Sequence, residues 1–289
     1  MTTPSSGIFH DMWKGIQTGS AIMLAQTPLV TSLNRISVVS CRYDLSMLES
    51  AKQIFQGTID AAGKPSAKHF LKGISGHLVK ESARLGFKAS GIVLKPRVDS
   101  YLQESPSGKL KSDLIFAVSL SMAEMLINPA DTLRTMWQAN EKVNQVKKNN
   151  LFSHLYKGAA ANGARQFGIW LGFPLSERVW SKAVEDTTSI DPYSISGIVA
   201  KSFPQSFQVT APVWFLERLK NELQYCPNLH ATGATRYSSA FKQIIHQQGW
   251  NGFFRGFMPK LWSNTILVIG ADYLLEQGRK AQKARCTKP

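Results

Sequence analysis

Three short strings, FLKG at 70–73, LYKG at 155–158 and FFRG at 253–256, recur in the same order relative to three prolines, Pro28, Pro129 and Pro212. Each string precedes an apolar stretch, and each proline sits inside another apolar stretch upstream. Repetition at a spacing of about 90 residues constrains the fold more than any other feature, since it marks one supersecondary unit used several times. The unit reads as a helix containing a proline, a polar connector, the aromatic-basic-glycine string, and a second helix. It divides the chain into repeats at 2–97, 98–191 and 192–289, the last closing on a basic tail, GRKAQKARCTKP.

The middle unit carries the most chemistry. Its NPADTLRTMWQ, residues 128–138, follows the apolar run 114–127. A proline inside a helix removes a backbone hydrogen bond and kinks the helix. Asp131 and Arg134, three apart on one helical face, put two charges where a core or a membrane would want none. One reading ends a helix at Asn128 and opens the next with Pro129, leaving Asp131 and Arg134 as a solvated pair. The other keeps a single kinked helix with the charges inside.

Hydrophobic periodicity places longer helices at 8–38, 70–94, 155–183, 194–224 and 253–277, with a polar connector at 97–112 ahead of the proline helix of the middle unit. A short amphipathic helix is expected at 45–56. On the helix at 70–94, His77, Lys80, Arg84 and Lys88 form one stripe. That stripe is either the solvated face of a surface helix or the lining of an aqueous cavity. Gly158, Gly163, Gly168 and Gly172 interrupt the helix at 155–183 and suit close packing in a bundle.

Thirty-four Lys and Arg against nineteen Asp and Glu give a net charge of +15, which calls for an anionic partner: nucleic acid, lipid headgroups or an anionic solute. The chain has no RNP string, zinc-finger spacing or basic region with heptads, so nucleic acid is not expected. The mean hydropathy of −0.15 argues against a simple lipid-buried bundle and admits a helix ring around a water-filled cavity. Cys41, Cys226 and Cys286 are isolated, so neither a disulfide framework nor a metal site follows. The opening residues carry Asp11 and no basic segment, so no cleaved signal or transit peptide is expected. Gly-rich phosphate loops, HExxH, GxSxG and paired Cys spacings are missing, and the histidines are scattered. An enzyme or a cofactor is not expected.

The string P-x-D/E-x-x-K/R with a glutamine four residues beyond the base, here Pro129, Asp131, Arg134 and Gln138, resembles the signature of the mitochondrial carrier family. The resemblance implies an all-α membrane protein, six transmembrane helices in a pseudo-threefold ring of three two-helix repeats, with short amphipathic interface helices. It also implies a multi-pass location in the mitochondrial inner membrane, of the chain's own cell or of a host cell; divergence this deep without a presequence resembles a nucleotide carrier that an intracellular bacterium delivers to host mitochondria. The family closes one gate with acids and bases after the odd-helix prolines. Here Val30 and Leu33 stand at those positions in the first repeat, and Trp214 and Glu217 in the third, so Arg134 is expected to pair with Glu217. The opposite gate of the family is matched by Glu276 and Arg279 after Leu275, with Glu177 and Lys182 as near misses.

Substrate contacts in the family lie on the even helices. Counting seven residues from each repeated glycine gives Lys80, Arg165 (followed by Gln166) and Ser263, with Arg84 and Lys88 one and two turns beyond Lys80. Such cations suit a small solute with several negative charges. The resemblance therefore implies transmembrane transport of an anionic metabolite by alternating access, nucleotide favoured over carboxylate or keto acid, in a monomer surrounded by anionic, cardiolipin-like lipid. The alternatives are a non-transporting carrier-fold scaffold and a soluble basic helical binding protein.

Overall fold

The computed structural model describes residues 4–75, 77–78, 81, 91, 94–95, 98–100, 102, 108–139, 154–225 and 235–286, and the regular structure among them is helical. Helix α1 runs Pro4–Tyr43 and α2 Met47–Gln56. Ser46 caps α2 by accepting from the Glu49 N–H, and Gly57 ends it in the left-handed conformation. A 3-10 turn, Ala67–Leu71, leads to the first repeated glycine. There follow α3 (Gly108–Leu126), α4 (Asn128–Gln138), α5 (Ala159–Thr188) and α6 (Ile195–Thr210). A 3-10 turn at Ala211–Val213 joins α6 to α7 (Trp214–Tyr225), and α8 (Thr235–Gln248) and α9 (Phe257–Cys286) complete the order.

The three prolines act differently. Pro28 lies inside an unbroken α1, where the Ser32 hydroxyl donates to the Pro28 carbonyl at 2.8 Å. Pro129 occupies the first turn of α4 after a break at Ile127, and Pro212 sits in the 3-10 turn between α6 and α7. The helix thus does stop ahead of Pro129. Asp131 and Arg134 are nevertheless buried, at 0 % and 3 % exposure, and are not the solvated pair of the first reading.

Helix α1 packs against α9, α9 against α6, α6 against α5, and α5 against α3, while α1, α4 and α7 touch one another. Contacts between α1 and α9 run in opposite senses. Ser37 Oγ donates to the Gly256 carbonyl, Asn34 meets Ser263, Gln26 donates to the Ile266 carbonyl, and Ile22 faces Gly270. Gly73, Gly158 and Gly256, the ends of the three repeated strings, all adopt left-handed φ, at 83°, 77° and 74°. Each abuts another unit. Gly73 lies on Gln138 and the Arg134 carbonyl, Gly158 on Lys220, and Gly256 on the Ser37 carbonyl and Cys41 Sγ. A side chain at these points would be strained and would also push the neighbouring helix away.

Charge is inside and much of the apolar surface outside. Arg35, Lys201, Arg218 and Lys220 are among the largest fully buried side chains, whereas Leu126, Ile195, Trp250 and Phe254 are at least 70 % exposed. Each buried charge is held by partners, as burial demands. Arg35 Nη2 donates to both carboxylate oxygens of Asp60 at 2.7 Å, and Arg218 donates to Glu222, Gln248 and the carbonyls of Cys41 and Gly252.

Among the described residues no helix is long and apolar enough to cross a membrane. Charge interrupts two of the long helices, α5 with Arg165, Glu177, Arg178 and Lys182 and α9 with Lys260, Asp272, Glu276 and Arg279, whereas α1, uncharged over 15–34, is diluted there by Gln17, Thr18, Ser20, Gln26, Thr27, Thr31, Ser32 and Asn34. A spanning helix needs about 20 predominantly apolar residues. This overturns the expected six transmembrane helices, and with them transport by alternating access of a nucleotide, carboxylate or keto acid, the surrounding anionic lipid, and the location in the mitochondrial inner membrane of either cell.

Candidate functional site: a cationic cavity

Where α1, α4, α5, α7 and α9 converge, two carboxylates serve four cations. Asp131 on α4 meets Lys220 of α7 at 2.8 Å and Arg134 of its own helix at 2.9 Å. Glu217 on α7 meets Arg165 of α5 at 2.9 Å, Lys220 at 3.4 Å and Lys260 of α9 at 3.8 Å. The helical period sets this up. Glu217 and Lys220 are three apart and share a face, so the acid can reach α5 and α9 while the base reaches α4.

Neutral groups orient the cations. Asn34 of α1 accepts from Lys260 Nζ at 2.9 Å and from Ser263 Oγ at 3.2 Å. Asn162 accepts from Arg165 at 3.0 Å and donates to Asn128, which in turn donates to the Leu155 carbonyl at 2.9 Å. Burial opposes ionisation of Glu217, but Arg165, Lys220 and Lys260 outweigh it and hold the carboxyl well below the usual carboxylate range. For Lys260 the balance is reversed. Burial, only partly offset by Glu217 and reinforced by Arg165, Arg134 and Lys220, pushes it down to about 7. Among the described residues the four cations outnumber the two carboxylates paired with them, and Glu81, also buried, is a third acid on the cavity wall.

These residues close one end of a partly open cavity whose lining includes Asn34, His77, Glu81, Arg134, Arg165, Gln166 and Lys260. Farther along, its walls become apolar, with Ile22, Trp170, Phe173, Val268 and Leu274. Trp170 is held edge-on between Phe116 and Phe173, with centroids 5.7 and 5.8 Å away. Beyond the apolar stretch lies a second charged layer. Lys201 Nζ reaches Glu177 and Asp272 at 3.4 Å each, and Arg279 reaches Glu177 at 3.2 Å and Glu276 at 3.9 Å. Tyr193 lies under both cations, 4.9 Å from Lys201 and 4.4 Å from Arg279 at its ring centroid. Burial pushes the Asp272 carboxyl up to about 6 despite Lys201. Nearby, Asp113 binds Lys95 at 2.7 Å and Arg178 at 2.8 Å.

Lys80, Arg84 and Lys88 lie outside the described residues. Arg165 and Gln166 line the cavity, and Ser263 is buried on Asn34 instead. Gln138 is buried against Gly73, and among the described residues its side-chain amide makes no hydrogen bond. Glu217 takes Arg165, Lys220 and Lys260 as partners, and Arg134 turns to Asp131, so the expected Arg134–Glu217 pair is replaced. Lys220, Lys260, Lys201 and Asp272 were not singled out by sequence. Lys220 was within reach, since it shares a helical face with Glu217. Lys260 stands one turn nearer the repeated glycine than the depth that was counted.

The position of Lys260 predicts a measurable cost. Its folded-state pKa lies below the ordinary value of about 10.4, so the folded state binds fewer protons than the unfolded state between the two values. Stability must therefore rise as pH increases from about 7 toward about 10. Lys260→Met is expected to remove that rise and to stabilise the protein at neutral pH and below by on the order of 1–3 kcal/mol. Denaturant midpoints of both proteins at pH 6 and 9.5 check it; parallel pH profiles would refute it.

No curated protein matches the chain. A family description does match, over residues 192–273, which take in α6, α7, α8, the last repeated glycine and the floor residues Glu217, Lys220 and Lys260. The described family is one of carriers and not of enzymes. The match to mitochondrial carrier protein over this one stretch is consistent with distant membership of the carrier family.

Proposed function

We propose that the chain is a non-transporting carrier-fold scaffold that holds a small anionic solute in its cationic cavity. Arg165, Gln166 and Lys260 contact the anion, and Arg134 and Lys220 add field from below. Lys80 is assigned to the same site by repeat arithmetic, Arg84 and Lys88 by standing one and two helical turns beyond it, and Ser263 supports the site through Asn34. The three repeats, 2–97, 98–191 and 192–289, supply one wall each. Pro28, Pro129 and Pro212 with Asp131, Arg134, Gln138 and Glu217 form the closed floor, and Glu276 and Arg279 belong to the charged layer opposite.

The observation that carries this reading is the imbalance at the floor: among the described residues four buried cations share two carboxylates in direct ion pairs, with Glu81 a third acid on the cavity wall. Unneutralised charge in a low-dielectric site is costly, and an anion that enters relieves it. Charge-assisted hydrogen bonds to guanidinium and ammonium are worth about 1.5–3 kcal/mol each. Phosphate, citrate and ATP are the probes. At least one should raise the thermal midpoint, by an amount that grows with its concentration, and Arg165→Ala should weaken it by roughly ten- to a hundredfold. Vesicles carrying the protein should take up that anion no faster than empty vesicles. A midpoint unmoved by every anion sinks the binding site, and protein-dependent uptake sinks the non-transporting scaffold.

A further inference from the structure

We infer that the cavity's ligand is an amphiphilic anion, an acidic head on an extended hydrocarbon or aromatic body, with the head on Arg165 and Lys260. This rests on the reading of the cavity as an anion site and adds the class of molecule it takes. The argument is the order of side chains along three helices. On α5 the lining passes from Arg165 and Gln166 to Ile169, Trp170 and Phe173, and on α9 from Lys260 and Asn264 to Leu267, Val268, Ala271 and Leu274. Helix α1 runs the other way, and its lining passes from Asn34 toward Met23, Ile22 and Gly19.

All three helices therefore change from polar to apolar in the same spatial direction. Gln26, the polar residue of α1 within the apolar stretch, uses its amide on the Ile266 carbonyl at 2.7 Å. His77 and Glu81 also line the wall. From Lys260 to Leu274 the shaft is about 20 Å long at the rise of an α-helix. A polyphosphate or a compact tricarboxylate would satisfy the floor and leave its remaining charge facing Phe173, Val268 and Leu274. A single head with an apolar tail matches both parts, since burial of the tail is favourable wherever water is displaced from apolar surface.

The test is a series of straight-chain carboxylates from butyrate to myristate, below their micelle-forming concentrations, titrated into the intact protein by calorimetry beside phosphate and citrate. Affinity should increase about fourfold per methylene and level off once the shaft is filled. The alcohol and the alkylammonium of equal length should bind at least tenfold more weakly. Arg165→Ala should lower the affinity of every acid by a common factor. Ile169→Trp, at a partly exposed lining position, should spare the short acids and abolish the gain for the long ones. Binding of phosphate or citrate with no dependence on chain length overturns the amphiphile and leaves the anion site standing. Equal binding of acid and alcohol, indifferent to both substitutions, places the tails on the outer surface and also overturns it. If no anion binds, the cavity reading itself fails.

Discussion

Replacement of Glu217 by alanine is expected to lower the unfolding free energy by roughly 3–5 kcal/mol, the range for a buried charge left without its partner. Arg165, Lys220 and Lys260 all reach this one carboxylate, and Glu217 is 4 % exposed. Its loss leaves these three cations near one another, with Asp131, already shared by Arg134 and Lys220, as the acid still paired in the cluster among the described residues. Glu217→Gln keeps the shape and removes the charge, so it should cost nearly as much. Adding Lys260→Met to Glu217→Ala should recover part of the loss, with a coupling of about 0.5–3 kcal/mol. The pH dependence follows from the depressed carboxyl. A group whose folded-state pKa lies below the unfolded value contributes stability above that unfolded value, about 4.3 for Glu. The contribution is lost as the pH falls from there through the folded value. Wild type and Glu217→Gln should therefore differ most near neutrality and converge in acid. Equal midpoints at pH 7 would mean that the cluster tolerates its cations unaided.

The second large effect belongs to Gly256. Its φ of 74° alone makes alanine costly, by about 1–2 kcal/mol, and a Cβ there would stand 2.5 Å from the Ser37 carbonyl and 2.8 Å from Cys41 Sγ. The carbonyl is helix backbone and cannot turn aside. The total for Gly256→Ala should reach roughly 3–5 kcal/mol, strain and overpacking together. Gly63 is the control. It has a φ of 65° and nothing within 4 Å of the added carbon, so Gly63→Ala should show the strain alone. The two denaturant midpoints separate the terms, and equal losses would show that α1 can yield.

Helical periodicity was the most legible signal. The amphipathic stretch expected at 45–56 is α2, Met47–Gln56, and the helix expected at 155–183 is α5, Ala159–Thr188. The repeated glycine strings were readable because a left-handed residue in tight contact admits little but glycine, so chemistry of the backbone left a mark in the sequence. Membrane crossing was misjudged. A mean hydropathy near zero admits a ring around a wet interior, but the charges in α5 and α9 break up the long apolar runs that a span requires. The partners at the floor were only half legible. Local spacing gives Asp131 with Arg134 and Glu217 with Lys220, whereas Glu217 with Arg165 and Asp131 with Lys220 depend on how separate helices converge.

The seam between α1 and α9 has a consequence for how the molecule is made. Its two sides are drawn from residues 4–43 and 257–286, so contacts such as Asn34 with Ser263 join segments 229 positions apart. During synthesis α1 must wait, with the face that will meet α9 uncovered, until residues 257–286 have left the ribosome. Contacts this distant in sequence slow folding and prolong exposure to aggregation. A nascent chain arrested before residue 257 should be readily digested by protease, and one whose residues 257–286 have emerged should resist it.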